Sequence, residues 1–315
     1  MLVGVPNART RVSVPAFRWF ALADFVAMIV IVLSGAAVRL TGSGLGCPDW
    51  PTCYRHRLTG SWSLHPLVEY ANRMVTVTLV VVTIVTFLAA LRRDPRRRDL
   101  VALSGALVLG VVADAVLGAF VVYSKLNPWL VSIHLLLSLG MVVIGAVLYH
   151  HAKYTYGPGS RADVRSPHLR KIARLMWVPF VVLLATGTAT TGSGPHAGSS
   201  QGQLVARRLP FGFSEAAWIH SVAATLFIGL VLGLLIAIWT TATPEPVRLG
   251  VRRLAVIAGV QALIGVVQYV THVPALLVEL HVAGATSLTI GMTQFTLRQV
   301  ARDREPGTRR APQPS

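Results

Sequence analysis

The sequence predicts an all-α integral membrane protein whose eight transmembrane helices form two tandem-repeat four-helix bundles. Three observations carry this expectation. The chain of 315 residues is 53% apolar and 13% charged, too apolar for a soluble protein of its length. Eight stretches are long enough to cross a hydrocarbon core, which takes about 20 apolar residues. The second half also repeats the first. Leu117 to His134 aligns without a gap on Ile264 to His281, an offset of 147 residues, so that Gly118 meets Gly265 and His134 meets His281. At nearly the same offset Thr41-Gly-Ser-Gly44 recurs as Thr191-Gly-Ser-Gly194, and Asn72 falls opposite His220.

The eight spans are placed at 18–38, 68–91, 100–122, 129–150, 172–192, 214–239, 254–272 and 276–297. The first four make an N-terminal half over 18–151 and the last four a C-terminal half over 172–297, each up-down-up-down with short loops. Between them, 152–171 is a polar linker broken by Gly157-Pro-Gly159, and 298–315 is a charged, Pro-rich tail expected to be disordered. Gly105 and Gly110 in the third span, and Gly229 and Gly233 in the sixth, are expected to let helices approach closely. No segment reads as a cleavable signal peptide, because the first apolar run is long and no cleavage site follows it.

A net charge of +17 would suit a nucleic-acid partner, but its distribution excludes one. Of 29 Lys and Arg residues, 22 lie in the two tails and in the loops after the second, fourth and sixth spans, with Arg92-Arg-Asp-Pro-Arg-Arg-Arg98 the clearest block. That is the positive-inside pattern. It places a multi-pass protein in the cell membrane with both termini cytoplasmic.

The chemistry-bearing residues gather at the opposite, external end. His134, His220 and His281 lie a few residues into spans that enter from outside, and Asn72 lies in the outer part of its span. Ionisable groups at such depth are costly and point to function. His220 and His281 sit on alternate antiparallel helices at equal depth, as bis-histidine haem ligands of a four-helix bundle do; a helix–helix hydrogen bond or a proton relay are the other readings. In the first half the partner of His134 is Asn72, a poor iron ligand, so that site would hold a macrocycle with an exchangeable position. Glu69, whose counterpart is Ala217, lies one turn before Asn72. It either handles protons or is an interfacial carboxylate paired with Arg73 or Arg39. Those two arginines suit haem propionates, which favour guanidinium forks. His65 precedes Glu69 by a turn and is either a replacement ligand or solvated. Cys47 and Cys53 share the first external loop, where a disulfide persists, as a structural staple or a redox pair. Asp114 matches Gln261 and reads as a structural polar contact, Asp24 has no evident partner, and Glu279 reads as interfacial. His56, His150, His151, His168, His196 and His272 read as solvent-facing.

These residues resemble the haem A synthase family. The resemblance rests on Gly35-Ala-Ala-Val-Arg-Leu-Thr-Gly-Ser-Gly-Leu-Gly-Cys-Pro-Asp-Trp-Pro-Thr-Cys53, on Glu69-Tyr-Ala-Asn-Arg73 and on the three membrane histidines, and it covers 18–297. It implies an enzyme that oxidises a ring methyl of haem O to the formyl group of haem A through hydroxylated intermediates, with water as the oxygen source. Substrate would occupy the first half, with His134 as an axial ligand, Glu69 as the essential acid and Asn72, Arg73 and Arg39 around it. The second half would hold a haem b on His220 and His281. Cys47 and Cys53 match the family's external cysteine pair. Implied partners are a haem O synthase as donor, a terminal oxidase as recipient, membrane lipid around the farnesyl tail, and a quinone as electron acceptor. The chain departs from the family at Asn72, where many members carry His, and in a second external loop that lacks the cysteines of some relatives.

Two other classes were weighed. An electron-transfer membrane cytochrome of haem b explains the histidines but not why Glu69 and the cysteine loop occur in one half alone. A transporter fits a repeated membrane fold, but an even four-helix repeat gives parallel halves, and the polar positions cluster near one face.

Overall fold

The computed structural model describes residues 11–47, 49–54, 62–155, 167–199, 206–299 and 303–304. Most of the expected linker and tail, and His56, lie outside the described residues. Nine helices follow in chain order among those described: α1 Val14–Leu40, α2 Leu64–Arg92, α3 Arg98–Tyr123, α4 Pro128–Lys153, α5 Pro167–Leu175, α6 Trp177–Ser193, α7 Phe213–Thr240, α8 Glu245–Val270 and α9 Ala275–Leu297. Eight segments are long and apolar enough to span a membrane, the fifth of them, His168–Ser193, running through α5 and α6. The protein is therefore an all-helical, multi-pass membrane protein, with one two-residue antiparallel β pairing, Tyr154–Thr155 on Asp303–Arg304, as the described exception. Backbone donors inside hydrocarbon must be satisfied within the chain, which is why the spans are helices.

Helix ends follow local chemistry. Ser13 accepts from the Ala16 amide at the start of α1, and Asn127 Oδ1 accepts from the Trp129 amide at 3.0 Å at the start of α4. The fifth span breaks at Met176 because Pro179 has no amide hydrogen and its ring would clash with the carbonyl four residues back, at Leu175. The break separates a short, basic α5 from the apolar α6. Helix α8 starts nine residues before the expected 254, at Glu245 after Pro244, so Arg248, Arg252 and Arg253 are helical rather than loop residues.

In the first half α1 packs on α2 and α4, α2 on α3, and α3 on α4; in the second, α6 packs on α7, α7 on α8 and α8 on α9. The halves meet through α4, which packs on α6 and α9, and through α1, which packs on α9. One buried cluster holds Phe17, Met28, Leu107, Met141 and Leu148, and Val282 and Ile290 of α9 pack against it. A second holds Phe180, Phe227, Leu254, Met292 and Phe295. Lipid is as apolar as these side chains, so close packing rather than water exclusion holds them together. Gly105 and Gly110 serve that packing, facing Phe87 at 3.3 Å and the Met141 sulfur at 3.1 Å from the place a Cβ would take. Gly229 and Gly233 do not. Nothing lies within 4 Å of either, because α7 packs on the opposite side, through Phe227, Val231, Leu234 and Ile238.

The repeat extends to the backbone. The α3–α4 turn has Lys125 at φ 55° and Leu126 at φ 61°, and the α8–α9 turn has His272 at φ 61° and Val273 at φ 62°. Two consecutive non-glycine residues in the left-handed region are costly in any fold. Each turn is closed by the same long amide bond, Leu126 to the Val121 carbonyl and Val273 to the Gln268 carbonyl, both at 2.8 Å. These turns start α4 and α9, and so set the depth of His134 and His281.

Candidate functional site

Asn72, His134, His220 and His281 all lie in the first third of their helices, at the end that carries the disulfide loop. Cys47 and Cys53 are joined. The loop they close sits on the start of α2. Gly46 approaches the His65 carbonyl so closely that a Cβ there would come within 2.6 Å of it, and Tyr123 Oη of α3 donates to the Trp50 carbonyl at 2.8 Å.

Glu69 and Arg73 hold this loop from below. The Arg73 guanidinium donates to the carbonyls of Cys47, Asp49, Pro51 and Thr52 at 3.1, 2.8, 3.3 and 2.8 Å, and to Glu69 Oε1 at 2.6 Å. Glu69 Oε2 accepts from the Cys47 amide at 2.7 Å, and the residue is 5% exposed. An acid and a base one helical turn apart thus meet inside the ring of backbone that the disulfide closes. His65 Nδ1 lies 3.1 Å from Ser43 Oγ, a polar anchor in place of the solvated position weighed for it.

The expectation that Arg39 and Arg73 face propionates meets a different arrangement. Arg73 is taken up by the loop and Glu69. Arg39 crosses to the other half, donating to the Thr191 and His196 carbonyls at 2.8 Å each. Beside it the Gly44 amide donates to the Gly198 carbonyl at 2.9 Å, where Gly198 has φ 102°. His196 is not solvated either, since its Nε2 lies 2.9 Å from the Val273 carbonyl. His151, at the other end, lies 2.9 Å from Asp99.

His134 is half-buried, and its Nδ1 stands 2.7 Å from Asp114 Oδ1 while Ser138 Oγ donates to Asp114 Oδ2 at 2.6 Å. A carboxylate beside one ring nitrogen can orient an imidazole, the arrangement that supports histidines bound to metal. Asp114, read from sequence as a structural contact, is therefore part of the site. The signal was the spacing: Asp114 precedes His134 by 20 residues, as Gln261 precedes His281. In the second half Gln261 Nε2 donates instead to the His281 carbonyl at 2.9 Å. Asn72 accepts from Ser34 Oγ at 2.7 Å and is held against α1. Asp24, unpartnered in the sequence reading, accepts from Thr83 Oγ1 at 2.8 Å and is a structural contact between α1 and α2.

His220 and His281 face each other with ring centroids 6.2 Å apart and planes 77° apart. Two imidazoles sharing one ion through bonds of about 2 Å have centroids about 6 Å apart, so the separation suits a shared metal. Thr186 Oγ1 lies 3.1 Å from His220 Nδ1. His281 Nδ1 is buried with no hydrogen-bond partner among the described residues. All three membrane histidines lie against a glycine of the preceding helix. A Cβ at Gly118, Gly187 or Gly265 would come within 3.5, 3.0 and 3.1 Å of the Cε1 of His134, His220 and His281 respectively. An unpartnered ring nitrogen, facing imidazoles and glycine walls fit a haem held between α7 and α9, the donor set of a bis-histidine iron site.

The chain matches the COX15-CtaA family, described as cytochrome oxidase assembly protein, over residues 18–293. It is 31% identical to the heme A synthase of Lysinibacillus sphaericus over 39% of this chain and 40% of that protein. It is 24% identical to that of Alkalihalophilus pseudofirmus over 70% of this chain and 75% of the relative. With the heme A synthase of Staphylococcus epidermidis the identity is 23% over 90% of this chain and 96% of the relative.

The clasp makes a direct prediction. Arg73→Lys keeps the charge but not the fork that reaches four carbonyls and Glu69, and breaking a buried pair costs about 3–5 kcal/mol. Thiol labelling after limited reductant should show Cys47–Cys53 opening at least about tenfold faster than in the parent. An unchanged rate would mean the loop closes without Arg73.

Proposed function

Because the chain belongs to the COX15-CtaA family of cytochrome oxidase assembly proteins, we propose that it is a haem A synthase, an oxidoreductase that converts the ring methyl of haem O into the formyl group of haem A. The observation that carries this reading is the asymmetry of two like sites. One half has paired histidines alone. The other has a histidine backed by a carboxylate, with Glu69 and a disulfide loop at the same end.

In this reading haem O enters the first half with its iron on His134 and its farnesyl tail in lipid. Asp114 holds the imidazole by Nδ1 and leaves Nε2 for the iron. Asn72, fixed by Ser34, lines the opposite helix and leaves a coordination position exchangeable. Conversion of the methyl to an aldehyde consumes one water and releases four electrons and four protons, in two rounds through the alcohol and the hydrated aldehyde. Glu69 takes protons as they leave. The same carboxylate accepts from Arg73 and from the Cys47 amide, so a proton would arrive on a group that also holds the disulfide loop. His220 and His281 would hold a haem b, which when bound supplies a one-electron relay with no open position for substrate. A quinone is the acceptor that suits such a relay within the membrane. The basic ends of the helices put both termini in the cytoplasm and the chemistry at the outer face. A haem O synthase supplies the substrate and a terminal oxidase receives the product.

The test is expression in a host that makes haem O, followed by chromatography of the extracted haems. Haem A or its hydroxylated intermediate is expected. Only haem b and unchanged haem O from a folded sample would move the protein to the electron-carrier class. His220→Ala and His281→Ala should each abolish a low-spin haem b Soret band, and a normal spectrum from either variant would remove that ligand. Glu69→Gln should keep the haem b spectrum and lower haem A yield by at least about 100-fold. A variant with parental yield would make Glu69 purely an anchor of the loop.

A further inference from the structure

A groove of about 430 Å³ runs between α8 and α9 at the basic end of the second half, far from the histidines. Its sides are Val256, Ile257 and Ile290, and its depth comes from Gly291, where a Cβ would come within 3.3 Å of Ile257 Cδ1. Arg252 and Arg253 line its basic end. Both are exposed, and neither forms an ion pair with a described residue. Arg252 lies over the Trp239 ring, 5.6 Å from its centroid. Arg298, just past α9, donates to the Pro246 carbonyl at 3.3 Å, and its pKa is pushed below the ordinary value by burial and then by the positive charge of Arg253.

This cluster differs from three arginines at the same end that have a carboxylate partner. Arg11 pairs with Asp94, Arg97 with Asp99, and Arg248 with Glu245. A general excess of positive charge accounts for arginines at this boundary, but not for gathering three that form no ion pair with a described residue beside one apolar trench. The trench continues two helical turns from Gly250 to Ile257, about 10 Å along the axis. A ligand that matches has an anion at one end and a hydrocarbon chain at the other, and it lies parallel to the helices in the leaflet.

We propose that this groove binds one anionic phospholipid, with its phosphate on Arg252 and Arg253 and an acyl chain over Val256, Ile257 and Ile290. Basic recesses between transmembrane helices recognise lipid headgroups in this way. Loss of both arginines should weaken binding about thirtyfold, from roughly fivefold for each basic residue near a charged headgroup.

The experiment is native mass spectrometry of the full chain in mild detergent, titrated with phosphatidylglycerol or phosphatidylcholine. One tightly retained phosphatidylglycerol is expected, with phosphatidylcholine failing to compete. Arg252→Gln with Arg253→Gln should lose it, whereas Lys171→Gln with Arg174→Gln, which removes two charges from the exposed face of α5, should not. Ser287→Trp fills the trench and leaves every charge in place, so it should also lose the lipid. Equal loss from the two double variants would mean diffuse attraction and overturn the proposal. So would full retention by Ser287→Trp, or displacement of the lipid by millimolar inorganic phosphate.

Discussion

The disulfide end of the first half depends on one guanidinium. Arg73 reaches from the third turn of α2 into the ring closed by Cys47 and Cys53, where it satisfies four carbonyls and a carboxylate together. Those carbonyls belong to a tight loop with no helix or sheet to supply donors, and unpaired buried carbonyls are expensive. Glu69 neutralises the charge that does this work and caps the Cys47 amide in turn. The disulfide limits where the loop can go; the ion pair decides where it rests.

The second half shows the same scaffold without that device. Both turns that set histidine depth use paired left-handed residues, and both have a glycine wall against the ring. What differs is the residue 20 positions earlier, a carboxylate under His134 and an amide under the His281 backbone. A carboxylate faces the imidazole ring itself, whereas an amide bonded to a helix carbonyl acts on the backbone and leaves the ring alone. The exchange of Asp for Gln thus adds to the differences already made by Asn72, Glu69 and the disulfide loop.

Much of this was legible in the sequence. Eight spans followed from hydropathy because hydrocarbon thickness fixes helix length, and the repeat followed from the gap-free alignment around His134 and His281. The facing of His220 and His281 followed from equal depth on alternate helices of an antiparallel bundle. Other features required three dimensions. Comparison of the halves marked Asp114 as structural because its counterpart is Gln261, yet position on α3 aims it at the ring. The pairing of Arg73 with Glu69 was one of the two readings of that carboxylate, whereas the fork geometry that suited Arg39 and Arg73 to propionates does not say that loop carbonyls will claim the fork first. Gly229 and Gly233 have the spacing of a packing motif, but the larger side chains of α7 lie on its other side and set which face is buried.

The contacts between the two external loops have a consequence for the history of the chain. Arg39 is bound by carbonyls of the other half, and Gly44 and Gly198 are joined amide to carbonyl. The ancestral unit, if it assembled as a pair of identical copies, would have made such bonds twice, once across each side of a two-fold axis. Here the second half carries no arginine at the position matching Arg39, where Ala189 stands. The bond network is one-way, so the halves have become a lock and its key. Two copies of the second half would leave both sets of loop carbonyls without that donor.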